Sequence, residues 1–139
     1  MFLLNSCNIK NRINFRLYSA DKKQCVTVIT KGEIRYIING NHNSIPESNY
    51  VKIDKSGIDP IGDEIGICWK NENYEWEIVN HQSIILQNKL DTLKFKFNTS
   101  WEKDDRGIPN AKKYTGINCG RIGILMMSTF GSENLILEN

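Results

Sequence analysis

Hydrophobic residues along this chain recur at a period of two, and no stretch keeps the 3.6-residue period of an amphipathic helix. Ile13, Phe15 and Leu17 alternate with Asn14 and Arg16, and Leu93, Phe95 and Phe97 alternate with Lys94 and Lys96. Successive side chains of a strand point to opposite faces, so each such run predicts a strand with one buried face. The run CVTVITKGEIRYII, 25–38, predicts a hairpin with Lys31-Gly32 at its tip. That turn sets Ile29 opposite Ile34 and Thr27 opposite Tyr36, while Val26, Val28 and Ile37 fall on the other face. Tyr50 to Asp54, Ile84 to Leu86, GRIGILMM (120–127) and ENLIL (133–137) predict further short strands. Segments 39–49, 55–63 and 101–116 hold the Gly, Pro, Asn and Asp residues of loops, and a short helix is expected within 102–114 if anywhere.

The stretch GICWKNENYEWEIVN, 66–80, predicts a second hairpin, with strands 65–70 and 75–79. An even-length loop sets Trp69 opposite Trp76, Ile67 opposite Ile78 and Lys70 opposite Glu75. Every large apolar side chain then shares one face with Ile65. A slip of one residue would scatter that set across both faces, which selects the even register. Core packing accounts for both tryptophans. The opposite face, with Lys70, Glu75 and Glu77, is expected to be wet.

Many short strands separated by turn signals predict an all-β fold, an antiparallel β-sandwich or jelly-roll-like arrangement. At 139 residues the chain is expected to form a single domain, 1–139, large enough to bury a core without metal or disulfides. The longest apolar run is far short of the ~20 residues of a membrane-spanning helix. MFLLNSC has only three apolar residues before its polar part, too few for a secretion signal, so an edge strand in the cytoplasm is the expectation. Cys7, Cys25, Cys68 and Cys119 form no CxxC and have no histidine at metal-ligand spacing. Four reduced thiols are expected of them.

Charge changes the picture more than composition does. Residues 1–46 carry seven basic and two acidic residues, 47–77 three basic and eight acidic, and 78–139 eight basic and six acidic. An acidic block thus sits within a chain of net charge +2, and the even basicity of a nucleic-acid binder is missing. Asp59, Asp63, Glu64, Glu72, Glu75 and Glu77 are the candidate partner-binding residues, an acidic face that steers a basic protein by charge complementarity. Two histidines, His42 and His81, and no nucleophile or phosphate-loop motif predict neither a catalytic centre nor a cofactor or metal site. Glu102, Asp104 and Asp105, followed by Arg106-Gly107, are expected to be turn residues neutralised within their own loop.

GRIGILMM, following YTGINC, resembles the late glycine-punctuated strand of lectin-like and laminin-G-like jelly rolls. In overall texture, small, β-rich and rich in Asn, Ile and Lys, the chain is similar to the bacterial immunity proteins of contact-dependent growth inhibition systems. That resemblance implies a cytoplasmic protein, not an enzyme, that binds the C-terminal toxin domain of a cognate effector one-to-one and blocks its active site. Such toxins are often basic nucleases, which the acidic block would meet. The alternative is a lectin-like carbohydrate-binding module built around Trp101 and the 102–110 loop.

Overall fold

The computed structural model describes residues 14–70, 73–109, 114, 116–125, 128–130 and 135–138. The expectations for MFLLNSC and for Glu72 lie outside them. Among these residues eleven strands run β1 Asn14–Ser19, β2 Cys25–Lys31, β3 Ile34–Asn39, β4 Tyr50–Asp54, β5 Glu64–Trp69, β6 Trp76–Asn80, β7 Ile84–Asn88, β8 Phe95–Asn98, β9 Cys119–Gly123, β10 Ser128–Phe130 and β11 Leu135–Glu138. They build two sheets, in the orders β11-β1-β2-β3-β4-β7 and β10-β9-β5-β6-β8. The fold is all-β, two sheets packed face to face. Pairing is antiparallel except between β6 and β8, which run parallel. The short 3-10 turn Pro60–Gly62 is capped by Asp59, whose carboxylate accepts from Ile61 N at 3.0 Å. No helix among the described residues is long and apolar enough to cross a membrane.

Alternation places the core where the pattern predicts. Phe15, Leu17, Val28, Ile37, Val51 and Ile53 of the first sheet meet Ile65, Ile67, Trp69, Trp76, Ile78 and Ile122 of the second in one buried cluster. The β5–β6 register is the even one, Trp69 against Trp76 and Ile67 against Ile78. The β2–β3 register differs by two residues from that expected. Lys31 lies opposite Ile34, Ile29 opposite Tyr36 and Thr27 opposite Ile38, so Gly32-Glu33 forms the turn. Gly32 at the first central position, with φ +61°, supplies the positive dihedral that a two-residue type II′ turn needs only there. A slip of two preserves which face each side chain takes, so the core is unaffected.

The second sheet is buried on both faces, where a wet outer face was expected. Cys68, Val79 and Cys119 on its outer side lie under Tyr114 and Trp101, brought there by the 101–116 excursion. Gly66 makes room: a Cβ on it would sit 2.8 Å from the Tyr114 ring. Cys68 and Cys119, directly opposite in the β5–β9 register with Cα atoms 4.0 Å apart, are joined by a disulfide. This corrects the expectation of four thiols. The two cysteines are 51 residues apart, and only the pairing of β9 beside β5 brings them together. Cys25 keeps its thiol, with burial pushing its pKa up.

One buried polar group spans the sandwich. Arg35 of β3, 1% exposed, grips the carboxylate of Asp63, the residue just before β5, with Nη1 and Nη2, at 3.0 and 2.7 Å. The same guanidinium donates to Asn80 Oδ1 of β6 at 2.6 Å and to Thr30 Oγ1 of β2 at 3.2 Å. Asn80 Nδ2 in turn donates to Asp63 Oδ1 and to the Glu64 carbonyl, each at 3.1 Å.

Two outcomes are expected in urea unfolding. Asp63→Ala leaves a buried guanidinium without its counter-ion and should cost about 3–5 kcal/mol. The Arg35→Met/Asp63→Leu pair should recover most of that loss, and a double variant no more stable than the single would show that the ion pair itself stabilises the fold. Removing the disulfide by a Cys68→Ala/Cys119→Ala pair should cost about 2–4 kcal/mol through the freed unfolded chain. The circular-dichroism spectrum should stay unchanged, because the β5–β9 hydrogen bonds remain.

Candidate functional site

The five acidic candidates among the described residues, Asp59, Asp63, Glu64, Glu75 and Glu77, do not form one surface. Asp63 is 6% exposed and held between the sheets by Arg35. Glu77, 5% exposed, lies on the outer side of β6, where Lys70 Nζ reaches its Oε2 at 2.8 Å and Asn98 Nδ2 donates to its Oε1 at 3.3 Å. Glu64 is half-buried and pairs with Arg121 of β9 at 3.2 Å. Glu75 is half-buried at the other end of the hairpin, its carbonyl accepting from Lys70 N at 3.0 Å. Asp59 is exposed and caps its own turn.

Three carboxylates of the acidic block, Asp63, Glu64 and Glu77, are therefore neutralised within the molecule. Arg35 comes from the basic first third and Arg121 from the last third. Charge that looks segregated along the chain becomes paired once strands distant in sequence lie side by side. Burial changes the role of Asp63 and Glu77 from a contact surface to fold-holding ion pairs.

The other side chains considered from sequence fall out similarly. Asp104 accepts from Arg106 N at 2.9 Å and Ile108 N at 3.0 Å and pairs with the Arg106 guanidinium at 3.0 Å, the self-neutralised turn expected of it. The backbone N–H of Ile108, with those of its neighbours, holds its carboxyl below the usual carboxylate range. Trp101 is half-buried and packs edge-on against Tyr114, with ring centroids 5.3 Å apart. His42 Nε2 lies 2.8 Å from the Asn39 carbonyl, and the His81 ring lies 6.3 Å from that of Trp101. Among the described residues no group of three His, Cys, Asp or Glu side chains could hold a metal ion.

What does stand open is an edge. β7 is the outermost strand of the six-stranded sheet, paired to β4 on one side, and all five of its residues are exposed. Ile84, Ile85 and Leu86 are 60, 42 and 50% exposed. Ile84 lies opposite Asp54 and Ile85 opposite Ile53, so the aliphatic groups flank the strand on both faces. A bulge opposite Lys52 and Ile53 leaves Leu86 without a cross-strand partner. The strand and the residues just before it, 82–88, carry no charge. The chain then crosses to β8, the outermost strand of the other sheet, through a loop whose Leu93 is 91% exposed while Leu90 anchors in the core.

A sheet edge offers a row of backbone donors and acceptors, and proteins normally guard it with charges, prolines or bulges. β7 has only the bulge. Ile84 to Leu86 form the expected strand, and the structure leaves it exposed. Its signal was available: three aliphatic residues in succession fit neither alternation nor a two-sided core strand flanked so closely by polar residues.

No protein-family model matches the chain, and neither do the curated proteins or the solved structures with which it was compared.

Proposed function

We propose that the protein is an immunity protein that binds a cognate toxin domain one-to-one and neutralises it by covering its active site, with the open β7 edge at the centre of the contact. The exposed, uncharged aliphatic strand Ile84–Asn88 is the observation that carries this reading. An added strand from the partner would pair with the outer side of β7, which no described strand covers, and the flanking side chains would supply specificity. Burying one Ile or Leu side chain fully is worth roughly 1.5–3 kcal/mol, so three of them half-buried already provide a useful share of a binding energy. The β7 edge with the loop around Leu93 gives a starting point for a contact of ~1,600 Å² in total.

This version of the reading does not rest on acidic mimicry of phosphates, because most of the candidate carboxylates are used within the fold. It also removes the difficulty that a chain of charge +2 would make a poor bait for a basic toxin. The carbohydrate reading based on Trp101 draws less support, since that ring is half-buried and packs on Tyr114. A cytoplasmic site of action belongs to the same proposal. There the Cys68–Cys119 bond would be open to reduction, and the β5–β9 ladder would hold those strands by hydrogen bonding.

The test is co-expression with the C-terminal domain of the protein encoded immediately upstream, followed by native mass spectrometry and a binding titration. A one-to-one complex, with that domain toxic when expressed alone, is expected. Leu86→Lys and Ile84→Lys should each weaken binding by about tenfold or more, equal to about 1.4 kcal/mol, whereas Asp59→Lys should have little effect. A harmless neighbour that does not bind ends the inhibitor reading. A complex indifferent to both β7 substitutions keeps the function and moves the contact elsewhere.

A further inference from the structure

The outer side of the first sheet carries two lysines at the margin of its open edge. In β4, Val51 and Ile53 turn into the core, so Tyr50, Lys52 and Asp54 take the opposite face. Lys52 lies across from Gln87 of β7, and Asp54 across from Ile84. Gln87 is fixed on that face by the Tyr50 hydroxyl, which donates to its Oε1 at 3.1 Å. Lys89 follows β7 directly, and its backbone N–H donates to the Tyr50 carbonyl at 2.8 Å.

Aromatic rings, not carboxylates, place both ammonium groups. Lys52 Nζ stands 5.8 Å from the centroid of the Tyr36 ring, and Lys89 Nζ 5.5 Å from that of Tyr50. The two rings pack edge to face, with centroids 5.5 Å apart, in a small apolar cluster with Ile29 and Ile38. Lys89 Nζ also donates to the Glu47 carbonyl at 3.1 Å. Among the described residues neither lysine forms an ion pair. A cation–π contact holds a lysine in place while leaving its charge without a counter-ion. Two such charges flank the Gln87–Asn88 end of an edge strand that is itself uncharged.

At the Ile84 end the sign reverses. Asp54 Oδ1 accepts from Ser56 N at 2.8 Å, and that hydrogen bond holds its carboxyl below the usual range, so it is an anion at neutral pH. It follows Lys52 by two residues of one strand, about 7 Å along the sheet. The core-facing side of the edge differs again. Ile85 lies opposite Ile53 there and is 42% exposed, so it offers only aliphatic surface to a neighbour.

These positions select what fits. A strand added to β7 sends alternate side chains to the outer face and to the core-facing side. On the core-facing side they meet Ile85. On the outer face, at the Gln87 end, they meet Lys52 and Lys89. A single-stranded nucleic acid suits the face less well, because its unbroken run of phosphates would pass from the lysines onto Asp54, and it offers no peptide ladder to a strand edge.

We infer that the β7 edge takes an extended acidic segment, in which aliphatic residues beside Ile85 alternate with carboxylates that pair with Lys52 and Lys89. The inference rests on the reading of β7 as the contact with the toxin domain, and it gives that domain's contacting strand its chemistry.

The experiment is an NMR titration of the ¹⁵N-labelled full chain with two capped synthetic peptides of equal length, one of alternating Glu and Val and one of alternating Lys and Val. The Glu-Val peptide is expected to shift the amide signals of Ile84 to Asn88 saturably, with an affinity that falls as salt is added. The Lys-Val peptide should leave them in place. The Lys52→Gln/Lys89→Gln pair should weaken the Glu-Val peptide about three- to tenfold, the range that two exposed ion pairs support. The Lys52→Arg/Lys89→Arg pair should retain it, which separates charge from packing on the tyrosines. Asp54→Asn, which keeps an acceptor for Ser56 N, should not weaken it. No response to the Glu-Val peptide overturns the proposal, and so does an equal response to both peptides. An oligothymidylate that moves the Lys52 and Lys89 signals where the peptide does not overturns it too, in favour of a nucleic-acid surface. The peptides need no toxin, so a harmless upstream domain ends the inhibitor reading without deciding this one. Conversely, a toxin domain that binds the Lys52→Gln/Lys89→Gln protein with unchanged affinity overturns this inference and leaves the inhibitor reading standing.

Discussion

The Arg35 guanidinium is the constraint around which this sandwich is arranged. It points inward from β3, between Ile37 of its own strand and Ile53 of the next, in a space otherwise filled by aliphatic groups. A charge there is tolerated only where its donors find acceptors, and three side chains provide them: Thr30 from the same sheet, Asp63 and Asn80 from the other. Apolar contacts between two sheets are permissive about sliding, whereas a bidentate guanidinium–carboxylate pair is not. The network therefore sets how β3 sits over the β5–β6 hairpin. Because Asn80 also holds the Glu64 carbonyl, and its own carbonyl accepts from Ser83 Oγ at 2.6 Å, the same cluster fixes the end of β6 and the turn that leads into β7.

The second sheet shows how a strand pair becomes buried on both sides without losing its charged residues. The buried Glu77 carboxylate is compensated by Lys70 and Asn98. Beside it, Gly66 lets Tyr114 lie directly on the backbone, and Trp101 closes over Tyr114. The outer layer is thus a patch of covered sheet with an ion pair at its margin. Removing the disulfide beneath it would not expose it, since the aromatic cover comes from another segment.

Local features of this fold were legible in the sequence because they depend on local patterns. Alternation located β1, β4 and the β5–β6 hairpin, and the demand that Trp69, Trp76, Ile67 and Ile78 share a face selected the observed register. The β2–β3 turn was placed one residue too early because the position of Gly32 within the turn depends on turn type, which alternation does not specify. What could not be read were the pairings between distant segments. Cys68 with Cys119, Asp63 with Arg35 and Glu64 with Arg121 each join residues 28 to 57 positions apart. No spacing rule connects them before the sheet order is known. Asp63 and Glu64 looked like surface residues because their counter-ions, Arg35 and Arg121, are remote in sequence.

The same dependence explains why the open edge matters more than the charges. The two outer strands of the six-stranded sheet are treated differently. β11 turns Leu135 into the core and packs Leu137 against it, ending on the exposed Glu138. β7 keeps Ile84, Ile85 and Leu86 in water, while the core beneath it is completed by Leu90 and Phe95 from the following segment. Isolated exposed aliphatic residues need no explanation on a protein surface, but three in a row on an uncharged edge strand carry a standing risk of non-specific pairing. They add little to the core that would offset that risk. A partner that covers the edge offsets it, and the bulge at Leu86 narrows which strands can do so, because an incoming chain must match a locally twisted ladder instead of a flat one.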